Sequence, residues 1–367
     1  MTKKQWKLLN TILIGTSLVL AAVAYHFIYI FYKTNKSNFV NKFNSKQFLV
    51  NSDSSHNSVN RKRECPNCVR RFIDGQWVEK GKENPPLAAI IIENHIDSRP
   101  PSSLTKAKLV YEAEAEGGIT RFLAVYVLDD NFHEVNKIGP IRSARPYFVD
   151  WSEELSAVFV HVGGSPDSLA KIIKDNIFDL NEFYKGDFFW REQDRKAPHN
   201  VYISGDNLIK YAQIYSFGAS NFIPWSFKDN KETKDKTSSR ITINYPNPEY
   251  IVTWKYNKQF NNYIRYIANR PHLDEGGQQI TSNNIIIEFV DYKVVDDKLR
   301  LKMNNIGEGE AIICLDGICK EGYWQKNSST ARTHFLDKEN KKEIVFNSGI
   351  SWIEIVRPDY RIDINED

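Results

Sequence analysis

The sequence predicts a mixed fold of the α+β kind: an α/β domain, then a mostly antiparallel β domain, both behind a single N-terminal transmembrane helix. Three observations carry this. The 25-residue run "LLNTILIGTSLVLAAVAYHFIYIFY" (8–32) holds no Asp, Glu, Lys or Arg. Between 86 and 217, short apolar runs bounded by turn residues alternate with capped helical patterns. From Ile241 onward, strand patterns follow one another with turn residues between them.

At about 1.5 Å per residue the apolar run crosses the roughly 30 Å hydrocarbon layer with some tilt. Tyr25, Tyr29 and Tyr32 gather toward one end, as an interfacial belt would place them. "AVA" at 22–24 also fits a signal-peptide cleavage site. The apolar run continues through Phe31, longer than the usual signal core, so an uncleaved anchor is expected over 1–34. Lysines lie on both sides of the run: Lys3, Lys4 and Lys7 before it, Lys33, Lys36, Lys42 and Lys46 after. So short a leading tail is easily kept in the cytoplasm, which puts the body outside: a single-pass cell-membrane protein. No cysteine of the lipid-attachment kind lies near the run. Residues 35–64 are expected to be a disordered linker, because Ser and Asn fill thirteen of the twenty-six positions from 35 to 60.

The net charge of +3 hides an asymmetry. Residues 33–71 hold nine Lys or Arg against Asp53 and Glu64, a net of +7, and the leading tail adds three lysines. The remainder, from 72 onward, therefore sums to −7. A mildly acidic body argues against nucleic acid as a partner. The basic stretch is a solvated linker beside an anionic membrane surface.

There are four cysteines. In "AIICLDGICKEGYW", Asp316–Gly317 signals a type I′ hairpin that sets Leu315 opposite Ile318 and Cys314 opposite Cys319, close enough for a cross-strand disulfide. "CPNC" could close a second one, Cys65–Cys68. Two disulfides fit an oxidising exterior. The alternative is a structural zinc held by Cys65, Cys68, Cys314 and Cys319. No other metal or cofactor is expected.

The first domain is expected over 65–230. "PLAAIIIEN" (86–94) reads as a buried strand, "KLVYEAEAE" (108–116) and "TRFLAVYVL" (120–128) as a hairpin turned by Gly117–Gly118, and "AVFVHV" (157–162) as another buried strand. In "GGSPDSLAKIIKDN", Ser165 is a good N-cap, Pro166 suits the first helical position and Asp167 favours the positive helix end. "SGDNLIKYAQIYSF" (204–217) reads as a second helix. The β domain follows over 240–365.

"KIGPIRSARPYF" (137–148) is neither strand nor helix, because Pro140 and Pro146 interrupt both. Arg142 and Arg145 on one turn repel unless an anion lies between them, either an internal carboxylate or a bound phosphate. Arg121, and Arg191, Arg195, Lys196 and His199 in "FFWREQDRKAPHN", add to this charge.

These stretches, together with "AAIIIENHIDSRPPSSLTKAKLVYEAEAEGGITRFLAVY" and "VHVGGSP", closely resemble the YerB-like family of bacterial envelope lipoproteins, a domain of unknown function. The resemblance covers about 65–365 and implies a layered mixed-sheet first domain with helices on one side, then a separate C-terminal domain, on an extracytoplasmic, membrane-attached protein. It brings no reaction. The positions matching its motifs are Asn94, His95, Arg99, Glu112, Glu116, Arg121, Arg142, Arg145, His161, Ser165, Arg191, Arg195, His199 and Asn200. Of these, Arg99, Glu116, Arg121, Arg142, Arg145, His161, Ser165, Arg191, Arg195, His199 and Asn200 are the candidate ligand-binding set. The expected function is envelope binding or scaffolding with an arginine-rich cleft for an anionic cell-wall ligand, with envelope proteins as other partners. The alternative is an enzyme on phosphorylated or glycan wall precursors, with Glu116 or His161 as base.

Overall fold

The computed structural model describes residues 65–231 and 239–366. The expected anchor and linker lie outside the described residues. Among the described residues, no helix is long and apolar enough to cross a membrane.

The first half carries β1 (Leu87–Glu93), β2 (Leu109–Glu114), β3 (Thr120–Val127), β4 (Val158–His161) and β5 (Asp179–Asn181), with helices α1 (Pro146–Glu153), α2 (Pro166–Lys174) and α3 (Gly205–Ile214). The second half carries β6 (Ser239–Ile243), β7 (Val252–Asn257), β8 (Asn262–Ile267), β9 (Asn284–Phe289), β10 (Gly307–Leu315), β11 (Ile318–Lys326), β12 (His334–Asp337), β13 (Ser351–Val356) and β14 (Ile362–Glu366). Ten of these strands form one mixed sheet in the order β12-β11-β10-β9-β13-β2-β3-β1-β4-β5. Strand β13 lies parallel to both β9 and β2, so Ile353 faces Ile286 on one side and Tyr111 on the other. A second sheet is antiparallel throughout, in the order Arg270–Pro271, β8, β7, β6, β14.

Strand β1, "LAAIIIE", is buried along its whole length. Leu87, Ala89 and Ile91 pack with Tyr147, Phe148 and Trp151 of α1 and Ile172 of α2. Ala88, Ile90 and Ile92 point the other way, toward Leu208 and Tyr211 of α3 and Ile241, Val252 and Trp254 of the second sheet. A sheet apolar on both faces must be covered on both. This corrects the expectation of helices on one side: α1 and α2 cover one face, while α3 and the second sheet cover the other. The second half is mostly antiparallel, as expected, and β13 is an exception, pairing parallel with β9 and with β2.

Several elements stand where the residues place them. The hairpin β2–β3 pairs antiparallel, with Gly117 and Gly118 both at positive φ in its turn. Helix α2 starts at Pro166, with Ser165 Oγ accepting from the Ser168 N–H at 3.3 Å. The β10–β11 register sets Cys314 opposite Cys319, and Asp316 (φ 56°) and Gly317 (φ 80°) turn it, as type I′ requires. Cys314–Cys319 and Cys65–Cys68 are both disulfides, so in this state the four sulfurs are not thiolates available to zinc.

The segment 137–148 is stitched down as an irregular connection. Ile138 and Ile141 donate to Ile203 and Val201 carbonyls, both at 2.8 Å, and Arg142 donates to the Ile91 carbonyl at 2.9 Å. Its last residues enter α1, with Pro146 in the first turn.

Candidate functional site

Two carboxylates organise the cations. Glu116 follows β2, just before the hairpin glycines. Arg121, on β3, meets it at 2.9 Å and donates its other nitrogen to the Ser143 carbonyl at 3.0 Å. Arg145, capping α1, grips the second oxygen of Glu116 through Nε and Nη2. One carboxylate thus holds two guanidiniums. Burial, then the Arg145 charge, bring the Arg121 pKa down to about 10 against the opposing pull of Glu116, so it stays charged at neutral pH.

Glu93 ends β1 and is 3% exposed. Arg142 Nε lies 2.8 Å from one of its oxygens and His199 Nδ1 lies 2.9 Å from the other. Arg142 and Arg145, three residues apart, therefore serve different acids. The His95 ring stacks on His199 with centroids 4.6 Å apart.

The other candidates are staples. Arg99 meets no carboxylate among the described residues: Nε donates to Asn94 and Nη1 to the Glu249 carbonyl at 3.0 Å, while the guanidinium covers the Tyr250 ring. Burial lowers its pKa. Arg195 donates to the Ser98 and Pro100 carbonyls at 2.6 and 2.9 Å. Arg191 bridges Glu182 and Asn200, and Asn200 donates in turn to the Glu192 carbonyl. His161 is fully buried, with one ring nitrogen 2.7 Å from the Gly163 carbonyl and the other 2.9 Å from Asp179. Neither nitrogen is left to act on a substrate.

An open cavity of about 260 Å³ lies at the start of α2, lined by Glu116, Ser143, Arg145, Gly164, Ser165, Pro166, Lys298 and Arg300. Arg300 pairs with Asp296. Lys298 is exposed and meets no carboxylate among the described residues. Among the residues lining this cavity, Arg145, Lys298 and Arg300 outnumber Glu116, and Ser165 and Pro166 bring the start of α2 to it. Cations in such excess suit an anion of phosphate or carboxylate size. Lys298 and Arg300 are absent from the sequence-based set. Nothing local in "VVDDKLRLKM" marks them, because only the shared sheet brings residues near 300 beside residues near 116.

Two family models match the chain: the N-terminal domain of a protein of unknown function, DUF3048, over residues 74–217, and its C-terminal domain over 241–353. A Bacillus subtilis (strain 168) protein described as "Putative lipoprotein YerB" is 30% identical over 283 residues, covering 76% of this chain and 83% of that protein. The crystal structure of the YerB protein from Bacillus subtilis superposes with a TM-score of 0.70 at 28% identity, covering 80% of this chain and 99% of that one.

Proposed function

This chain belongs to the DUF3048 family, and from that premise we propose that it is an envelope-associated binding protein that holds an anionic ligand at the mouth of α2. The observation that carries the reading is the charge excess at the cavity that Arg145, Lys298 and Arg300 line together with Ser165. Lys298 meets no acid among the described residues, which supports its being available to a ligand. A phosphate or carboxylate of a wall polymer matches the size and charge of the site. Attachment at the membrane through residues 8–32, with the body outside, accords with the YerB relative's description as a lipoprotein and with two disulfides. The enzyme alternative has less to stand on: Glu116 is committed to two guanidiniums and His161 to two acceptors.

The test is calorimetric titration of the full chain with pyrophosphate and with wall fragments. Saturable binding is expected. Lys298→Ala, a surface change, should weaken it roughly fivefold, the size of one charge-assisted contact. No saturable binding of either probe, or equal binding by the variant, would sink the reading. Protease accessibility in intact cells separately checks the outward placement.

A further inference from the structure

We propose that the cavity lined by Lys108 and Glu134 binds a zwitterionic ligand, an amino acid or a short peptide, with its carboxylate on Lys108 and its ammonium at Glu134. This open cavity of about 600 Å³ shares no lining residue with the one at the start of α2. Its volume lies within the range of small-molecule sites. Its walls come from three stretches, 102–108, 127–137 and 274–278, which only the fold brings together.

Much of the wall is fixed by its own bonds. Asp274 accepts from the N–H groups of Ser103 and Thr105 at 2.7 and 2.9 Å and from the Thr105 hydroxyl at 2.7 Å, so it is spent on holding that turn. Glu275 takes Lys137 at 2.8 Å and the Ser102 hydroxyl at 2.6 Å. Lys108 leads into β2. Its N–H donates to the Val125 carbonyl at 2.8 Å, and its carbonyl accepts from the Ser351 N–H at 3.1 Å, so its backbone is held on both sides.

Lys108 is the charge left over. Arg71 takes the nearby acids, Asp74 at 2.9 and 2.5 Å and Asp129 at 3.4 Å. The half-buried Lys108 ammonium has no hydrogen bond or ion pair among the described residues. Burial lowers its pKa against the pull of Asp74, and the Arg71 charge adds to the effect. A desolvated cation without a counter-ion is costly, and a ligand carboxylate removes that cost. Exposed Glu134 likewise pairs with no cation among the described residues. A phosphate suits this cavity less well. The lining acids Asp129, Glu134, Asp274 and Glu275 outnumber Lys106, Lys108 and Lys137, so a dianion meets net repulsion, whereas a zwitterion satisfies both ends. Val127, Phe132 and Val135 add apolar surface for a ligand side chain.

The test is calorimetric titration of the full chain in detergent with glycylglycine, alanyl-leucine and leucyl-alanine. At least one should bind saturably. Its C-terminal amide and its N-acetyl form should each bind more weakly, by roughly fivefold, the size of one charge-assisted contact. Lys108→Met should erase the preference for the free acid over the amide. It should also melt no lower than the wild type, because it removes a desolvated charge. Glu134→Gln, a surface change, should erase the preference for the free amine over the N-acetyl form. Saturating pyrophosphate should leave dipeptide affinity unchanged. The proposal is overturned if none of the three dipeptides binds saturably, or if pyrophosphate displaces the one that does. Either variant keeping its preference overturns it as well, and a lower melting temperature for Lys108→Met counts against an unpaired Lys108. If Lys108→Met does not fold, the wild type still decides: equal affinity for the free, amidated and acetylated forms overturns the proposal.

Discussion

Glu116 is where ligand binding and stability compete most directly. It neutralises Arg121, which is 6% exposed, and Arg145, which is 8% exposed. Glu116→Gln leaves both guanidiniums without their acid. Breaking a buried pair costs several kcal/mol, less where one partner is partly exposed, so a loss of about 2 kcal/mol in urea denaturation is expected. Pyrophosphate should then stabilise the variant more than the wild type, because the ligand replaces the missing carboxylate. A destabilised variant with no added response to pyrophosphate would mark the arginines as internal bracing. Glu288 poses a different problem. It is 1% exposed, and neither carboxylate oxygen has a hydrogen-bond partner among the described residues. Burial, with the charge of Glu154 adding, pushes its pKa up to about 8 from an ordinary 4.5. Across that window the folded chain keeps a proton that the unfolded chain releases. Stability from this group is therefore fully present below 4.5, falls as pH rises, and levels off above 8. Glu288→Gln should remove this group's share of the slope and be more stable than the wild type at pH 9, by on the order of 3 kcal/mol. Parallel urea curves at pH 5 and pH 9 measure this; an identical pH dependence in both proteins would mean that Glu288 is ionised in the fold.

Elements were legible where local chemistry decides them. Helix α3 depends on one such position: Gly205 opens it, and a Cβ there would lie 1.9 Å from the Phe132 carbonyl oxygen. Gly205→Ala must push the helix off its neighbour, at a cost of about 2 kcal/mol. Thermal denaturation should show it, and an unchanged melting temperature would mean that α3 sits farther from Phe132. The same local chemistry made the cap at Ser165, the turn at Asp316–Gly317 and the register of Cys314 against Cys319 readable beforehand. Helix α1 was missed for a physical reason. In "PYFVDWSE", residues 147–152 are all buried, so no polar face marks the helical period. The candidate site divided along the same line. The sequence pointed to Glu116, Arg121 and Arg145, yet it could not show that one carboxylate takes both arginines while Arg142 turns to Glu93. That partition depends on where β1 and the turn after β2 end, and contacts between distant strands set it. Lys298 and Arg300 reach the cavity in the same non-local way.

At the scale of the whole molecule, the feature that composition and turn signals hide is the shared sheet. Strand β13 inserts between β9 and β2, so the core under β2 is completed by residues more than two hundred positions later. Ion pairs follow the same seam. Arg265, fully buried, bonds Glu112 at 2.6 Å and Glu354 at 2.8 Å, while Trp254 and Trp352 flank its guanidinium. Burial raises the Glu112 pKa, and the Arg265 charge opposes it. On the other face, Glu154 receives Lys326 at 2.6 Å and the guanidinium of Arg332, and with the arginine also bonds Tyr111. A chain ending at residue 231 would keep Glu112 and Glu154 and lose all three of those cations. It would also expose β2 as an open edge with Tyr111 and Leu109 uncovered on a strand that β13 otherwise protects. Two buried carboxylates without counter-charges cost several kcal/mol together, a large share of a typical domain's stability. Fragment 65–231 expressed alone should therefore fail to fold, and calorimetry of the full chain should show its body melting in one transition. Adding fragment 239–367 should restore native circular dichroism to the first fragment, because the missing strand and cations return together. A fragment 65–231 that melts cooperatively by itself would show that β13 and its charges are dispensable to the first half.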